Sequence, residues 1–223
     1  EFDFPVVIAG NRVAARECAR ILAGHDVSVC ENVMPKFGVL NIEPTQKRIR
    51  EIFLSRIIQA KGLSRAAQLI SGILMPTPSA VLKAMELLAQ GTDDEPGIGD
   101  LVAVDVGGAT TDVYSISDGM PTALSTVYKG LPEPYAKRTV EGDIGMRYSV
   151  RGIVEAVGLK RLSEESGLPP EAVSEMVETL AAHTDMVPEP GTDWERLDYA
   201  LASAAIETAV GRHAGSMEET YTL

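Results

Sequence analysis

The sequence predicts a mixed α/β fold in which a β-meander is followed by helices. Three observations carry that prediction. Short β-branched runs alternate with helix-period stripes ahead of Gly91. An aliphatic run, Leu101–Val106, enters a Gly-Gly turn and continues into a second strand-like segment. From Gly145 onward, apolar residues recur at helical spacing. The 223 residues are 45% hydrophobic, 5% aromatic and 23% charged, which describes a folded chain and excludes a disordered tail or a fibrous repeat. With one Trp, four Phe and six Tyr, the core has to be aliphatic and alanine-rich.

The elements follow in order. Val6–Ala9 is a short strand ended by Gly10-Asn11, and Val13, Ala14, Cys18, Ile21 and Leu22 form a helical stripe stopped by Gly24. Val27–Cys30 is a second strand, so the segment is a βαβ-like unit. Pro44 fits the first turn of a helix whose face carries Ile49, Ile52, Phe53, Ile57 and Ala60. After Pro76 and Pro78, Ser79 is placed to cap a helix bearing Val81, Leu82, Met85 and Leu88. Leu101–Val106 is expected as a strand buried on both faces, followed by a strand over Thr111–Ser117. Asp118-Gly119 is a hairpin signal, with Thr122–Tyr128 as the returning strand of an antiparallel meander. Helices are expected over Gly145–Val157, after Pro169-Pro170, and behind a Thr192/Glu195 capping box, the last burying Trp194, Leu197, Leu201, Ala204 and Ala205.

The domain reading is an N-terminal portion over 1–91, a linker over 92–99 and a second lobe over 100–223. The linker is Gly-rich, acidic and Pro-containing. Charge changes there as well. Residues 1–91 hold 11 Lys/Arg against 8 Asp/Glu, and residues 92–223 hold 9 against 24. The overall charge of −12 argues against nucleic acid and against an anionic membrane surface, both of which ask for a basic footprint. No apolar run reaches membrane-spanning length and no signal segment opens the chain, so a cytoplasmic protein is expected. Cys18 and Cys30 are expected as buried free thiols. The start at Glu1, without an initiator Met, suggests the excised centre of a longer protein.

The chemistry-bearing stretch is Asp105-Val-Gly-Gly-Ala-Thr-Thr-Asp112. Gly107 and Gly108 let backbone approach a polyanion, successive N–H groups can form an anion-binding concavity, and Thr110 and Thr111 add hydroxyls. Asp105 and Asp112 would repel phosphate unless a divalent cation or an attacking water lay between. The same residues also suit a plain hairpin that uses Gly-Gly for positive φ. Spacing leaves both readings open.

Asp-x-Gly-Gly-x-Thr-Thr-Asp behind a strand resembles the second phosphate motif of the actin-like ATPases, and Thr139-Val-Glu-Gly-Asp-Ile-Gly-Met-Arg-Tyr148 resembles the Gly/acidic turn that follows it in that superfamily. With Cys30-Glu-Asn-Val-Met-Pro35 and Asn41-Ile-Glu-Pro44, the chain resembles over essentially its whole length the MutL family of glutamate mutase accessory proteins, which is unrelated to the mismatch-repair protein of that name. The resemblance implies part of an actin-like ATPase (RNase H-like) fold binding ATP/ADP and Mg²⁺. Asp105 would be the catalytic and metal-proximal acid. Gly107, Gly108, Ala109, Thr110, Thr111 and Asp112 would line the β/γ-phosphates, and Glu141, Gly142, Asp143 and Gly145 would form the second turn. It implies an adenosylcobalamin-dependent mutase as protein partner, and a reactivating role driven by ATP. The superfamily's first phosphate motif and its adenosine loop have no match in these residues, so steady-state ATP hydrolysis is not expected of this chain alone.

Two other readings stand beside it: a small-molecule kinase of the same superfold acting on a sugar or carboxylate, and a nucleotide-free interaction module. Gly-x-Gly-x-x-Gly, a Walker lysine motif and His-Glu-x-x-His are missing, and His25, His183 and His213 lie far apart, expected as surface or capping residues. Arg147 and Arg151 are expected on a solvated helix face, with phosphate contact as the alternative. The basic run Arg48, Arg50, Arg56, Lys61 and Arg65 is expected to face solvent.

Overall fold

A computed structural model of the chain describes residues 3–60, 75–121, 126–131 and 133–217. It divides into two compact units: Glu1–Val81 with Met120–Glu133, and Leu82–Gly119 with Pro134–Leu223. The architecture is mixed α/β, with small sheets and many helices.

In the first unit, β1 (Val6–Ile8), α1 (Arg12–Ile21) and β2 (Val27–Val29) form the expected βαβ unit, the strands pairing parallel from Val6↔Val27 to Ile8↔Val29. Asn11 starts α1 because its side-chain oxygen accepts from the N–H groups of Val13 (2.9 Å) and Ala14 (3.3 Å), two donors the helix itself cannot satisfy. Strands of three residues cover little of α1: Ala15 is buried, while Val13 and Ile21 stand open. For the same reason the thiols are not buried as expected. Cys18 is exposed and Cys30 half-buried.

Helix α2 (Glu43–Ala60) carries Pro44 in its first turn, where a missing N–H costs nothing. Ile49 and Phe53, expected on a buried face, are about half exposed, and the side chains of Ile57 and Ala60 lie outside the described residues. Arg48 donates to Ser28 Oγ (2.9 Å) and Arg56 to the Asp3 carbonyl (3.2 Å), so part of the basic run ties α2 to its own unit. Lys61 and Arg65 lie outside the described residues. Helix α3 (Thr77–Gln90) starts two residues ahead of Ser79, which therefore sits inside the helix and not at its cap.

The second unit opens with most of α3, from Leu82, and residues 91–99, expected as a linker, follow that helix. They form a hydrogen-bonded turn. Thr92 accepts from the N–H of Glu95 (3.1 Å), and Ile98 and Gly99 donate back to Leu88 and Ala89 at the end of α3. Strands β3 (Leu101–Val106), β4 (Thr111–Ile116) and β5 (Ala136–Glu141) then make an antiparallel sheet in that order. The meander is real, but its third strand is β5. Of the expected return over Thr122–Tyr128, residues 122–125 lie outside the described residues and 126–128 are not in a strand. The strand buried along its length is β4, because it is central; β3 is an edge, with Val102 59% exposed.

Helices α4 (Val150–Val157), α5 (Leu159–Ser166), α6 (Pro170–Ala182) and α7 (Asp193–Ala214) complete the unit. Helix α4 begins later than expected, since 142–149 is turn, and α5 is an element the periodicity did not suggest. Gly158 (φ +81°) ends α4 and Gly167 (φ +70°) ends α5, conformations that favour glycine. At the start of α7, Thr192 accepts from the Glu195 N–H (3.4 Å), and the Glu195 carboxylate takes the Gly191 N–H (2.7 Å), a capping box shifted back by one residue. The core joins Ile144, Val150, Ile153, Leu162, Val173, Leu180, Leu197 and Leu201, with Trp194 packed on its margin. Helix α7 contacts all three strands. Among the described residues no helix is long and apolar enough to cross a membrane.

Candidate functional site

Sheet register brings the two motifs together. Thr111 is paired with Glu141 and Asp112 with Val140, so the turn after β5 lies beside the β3–β4 hairpin. That hairpin closes when the Gly107 N–H donates to the Thr110 carbonyl (2.9 Å). The Gly107 carbonyl accepts from Met146 N–H (2.9 Å), and the Gly108 carbonyl accepts from Arg147 (2.9 Å) and Tyr148 (2.8 Å). The Thr111 hydroxyl donates to the Ile144 carbonyl (3.0 Å). The two loops form one clasp.

Each glycine has its own reason. A side chain at Gly145 would overlap the Ala109 backbone, its Cβ falling 2.8 Å from Ala109 Cα, and at Gly107 it would meet the Thr110 carbonyl oxygen at 2.9 Å. Gly145 permits the close approach of the loops, and Gly107 the tight closure of the hairpin. Neither Gly107 nor Gly108 has a positive φ, so the plain-hairpin explanation of the pair does not hold here. At Gly108 an added Cβ would make only ordinary contacts, 3.8 Å from the Tyr148 ring, and at Gly142 it would touch nothing. Their smallness serves nothing inside the fold. It leaves the loop surface bare.

The clasp consumes the loop's carbonyls and leaves its donors. Among the described residues, the N–H groups of Gly108, Ala109 and Thr110 donate to no protein acceptor. Gly108 and Ala109 are exposed and Thr110 is half-buried. Three consecutive donors on a bare loop can hold an anion. Thr111 does not join them: it is fully buried and its proton goes to Ile144.

The carboxylates separate by partner. Asp112 accepts from Arg138 Nε (2.8 Å) and Nη2 (2.5 Å). Glu141 and Asp143 are held by Arg212 of α7, at 2.7 Å for each closest contact, and this hydrogen bonding keeps the Asp143 carboxyl below the usual carboxylate range. Asp105, directly across the strands from Asp112, is exposed and has no hydrogen-bond or ion-pair partner among the described residues. No group of three His, Cys, Asp or Glu among the described residues could hold a metal ion alone. A magnesium ion at Asp105 would therefore take its remaining ligands from water and phosphate, which is how Mg²⁺ commonly binds with nucleotides.

Two residues behave differently from expectation. Arg147 is neither solvated nor free for phosphate: it pairs with both Asp198 carboxylate oxygens (2.7 and 3.0 Å) and donates to the Met186 carbonyl. Its contact with the clasp is through its backbone N–H to the Gly108 carbonyl. Arg151 does stand on a solvated helix face, where it pairs with Glu178. His213, expected at the surface or as a cap, is 6% exposed, its ring between Thr139 Oγ1 (2.7 Å) and Ser115 Oγ (2.8 Å). Arg138 and Arg212 carried no sequence signal, because their partners lie 26 and about 70 positions away. Tyr148, 72% exposed beside Gly108, closes the bare surface on one side.

Along residues 1–223 the chain matches the family described as MutL protein. Protein MutL of Clostridium tetanomorphum is 49% identical over 221 residues, covering 98% of this chain and 47% of that protein. The chain thus spans about half the length of the curated relative it matches. No solved structure matches it. A match over every residue, with near 50% identity to a curated relative, makes this chain a member of the MutL family.

Proposed function

We propose that this chain supplies the second phosphate-binding element of an actin-like ATPase that reactivates an adenosylcobalamin-dependent mutase, glutamate mutase being the model partner. The observation that supports this reading is the clasp: three free backbone donors on a glycine loop, with one free carboxylate, Asp105, at the end of the strand leading into it. Backbone donors of Gly108, Ala109 and Thr110 would bind the β/γ-phosphates of ATP or ADP. Asp105 would hold Mg²⁺ through water and orient the attacking water, while the cation neutralises charge on the phosphates. Glu141 and Asp143, already paired with Arg212, would support the loop from behind and not touch the nucleotide. Nucleotide-driven closure would then act on the mutase, exchanging damaged cobalamin for intact cofactor. The mutase link comes from family resemblance alone.

The test is calorimetry with Mg-ADP on a full-length MutL protein carrying this segment. Binding is expected, with a loss of at least about tenfold in Gly108→Val, whose side chain would stand among the donors, and in Asp105→Asn. Wild-type affinity in both variants would sink the phosphate reading. The partner is tested separately: Mg-ATP and the full-length protein should restore turnover to an inactivated mutase. ATP consumption that needs a small-molecule acceptor, and ignores the mutase, would favour the kinase reading.

A further inference from the structure

The sheet face that carries Asp105 also carries Asp112, Tyr114 and Arg138. Asp105 and Asp112 are cross-strand partners, and Arg138 is opposite Tyr114, one diagonal step from Asp112. Like charges placed directly opposite in a ladder repel. Here one of the two is neutralised from within the sheet. Arg138 grips Asp112 through two nitrogens, the side chains 33% and 13% exposed, while Asp105 stays open. Tyr114, 2% exposed below them, closes the cluster, and burial pushes its hydroxyl above the ordinary range.

We infer that Arg138 is a positioning residue: a built-in counter-ion that occupies Asp112, so that the loop offers one free carboxylate and not two. This rests on the reading of Asp105 as the site's free acid. Two free carboxylates facing each other would capture a divalent cation without nucleotide, and their combined charge would oppose an approaching diphosphate. With Arg138 in place, Asp105 alone is too weak a ligand to hold the metal, so metal and phosphates arrive together.

The test is Mn²⁺ binding to the 223-residue chain without nucleotide, followed by electron paramagnetic resonance. Wild type is expected to bind weakly, and Arg138→Met to gain at least about tenfold in affinity. Adding Asp112→Asn to Arg138→Met should remove the gain, and Arg138→Lys should return it towards wild type. Arg138→Gln removes the charge but stays polar, so the same gain is expected of it and it decides the matter if the Met variant fails to fold. A purely structural Arg138 would lower the melting temperature of these variants and leave Mn²⁺ affinity unmoved, and that result overturns the inference. The arms separate it from the nucleotide reading. Gain of Mn²⁺ affinity with no Mg-ADP binding by the full-length protein sinks the nucleotide reading alone, and Mg-ADP binding without the gain sinks Arg138's role alone.

Discussion

The two units contain the same kinds of element and bury very different amounts of them. In the first, a pair of three-residue strands backs α1 and α2, Ala15 is the buried hydrophobic residue among those described, and Val13, Ile21, Ile49 and Phe53 remain about half exposed or more. In the second, a three-stranded sheet and four helices enclose Ile153, Leu162, Leu180, Leu197 and Leu201 completely. The difference lies in closure. A sheet of two short strands has little area to cover a helix, whereas α7 spans about 33 Å at 1.5 Å per residue and reaches all three strands of its sheet. The candidate site belongs to the closed unit, where the clasp has a rigid backing.

The sharpest way to break the comparison is Leu201→Ala. A fully enclosed leucine should cost about 2–5 kcal/mol in urea unfolding. A cost under about 1 kcal/mol would mean the second unit is as loosely packed as the first. Next comes Arg147→Leu, which leaves Asp198 partly buried without its partner behind the loop. A loss of about 2 kcal/mol is expected by the same measurement, larger than a surface pair such as Arg151–Glu178 would show.

A smaller effect separates the latch at Arg212. Because Asp143 is held below its ordinary value of 3.8 in the folded chain, its contribution is fully present above that pH and is lost as pH falls towards the depressed value. Asp143→Asn should therefore lower the melting temperature modestly at pH 7, where the ionised pair is intact, and converge with wild type at the acid end, which flattens the acid limb below about pH 4. A wild-type acid limb in that variant would show that Arg212 does not stabilise the turn through Asp143. Least of all should come from Phe53→Ser on α2, within about 0.5 kcal/mol, since the ring is half exposed already. A loss above about 2 kcal/mol there would show that the first unit buries more than its described residues reveal.

Local signals were legible wherever their cause is local. Thr192 caps a helix through a side-chain oxygen three residues from the N–H it accepts, and Gly158 stops α4, as the sequence suggests. Asn11, read only as the end of a strand, caps α1 by the same local means. Both motif loops were visible too, since glycines and acids sit together in each. What the residues could not show was that the loops clasp each other, or that Asp112 and Asp143 are neutralised. Those facts depend on partners from 26 to about 70 positions away.

The third strand shows the same limit. Asp118-Gly119 is a sound turn signal, yet β4 pairs with Ala136–Glu141, because the register that places Thr111 opposite Glu141 also brings Thr111 to the Ile144 carbonyl and Gly145 onto Ala109. Composition and periodicity by themselves determined the mixed α/β class, an aliphatic core, where most of the helices lie and the position of the glycine loop, since each depends on neighbours within a turn or a strand. Tertiary structure alone decided which strand closes the sheet and which thiols and histidine are covered. It also decided which of the four carboxylates around the loop stays free. Those outcomes follow from long-range pairing, where burial and charge neutralisation are settled only once distant segments meet.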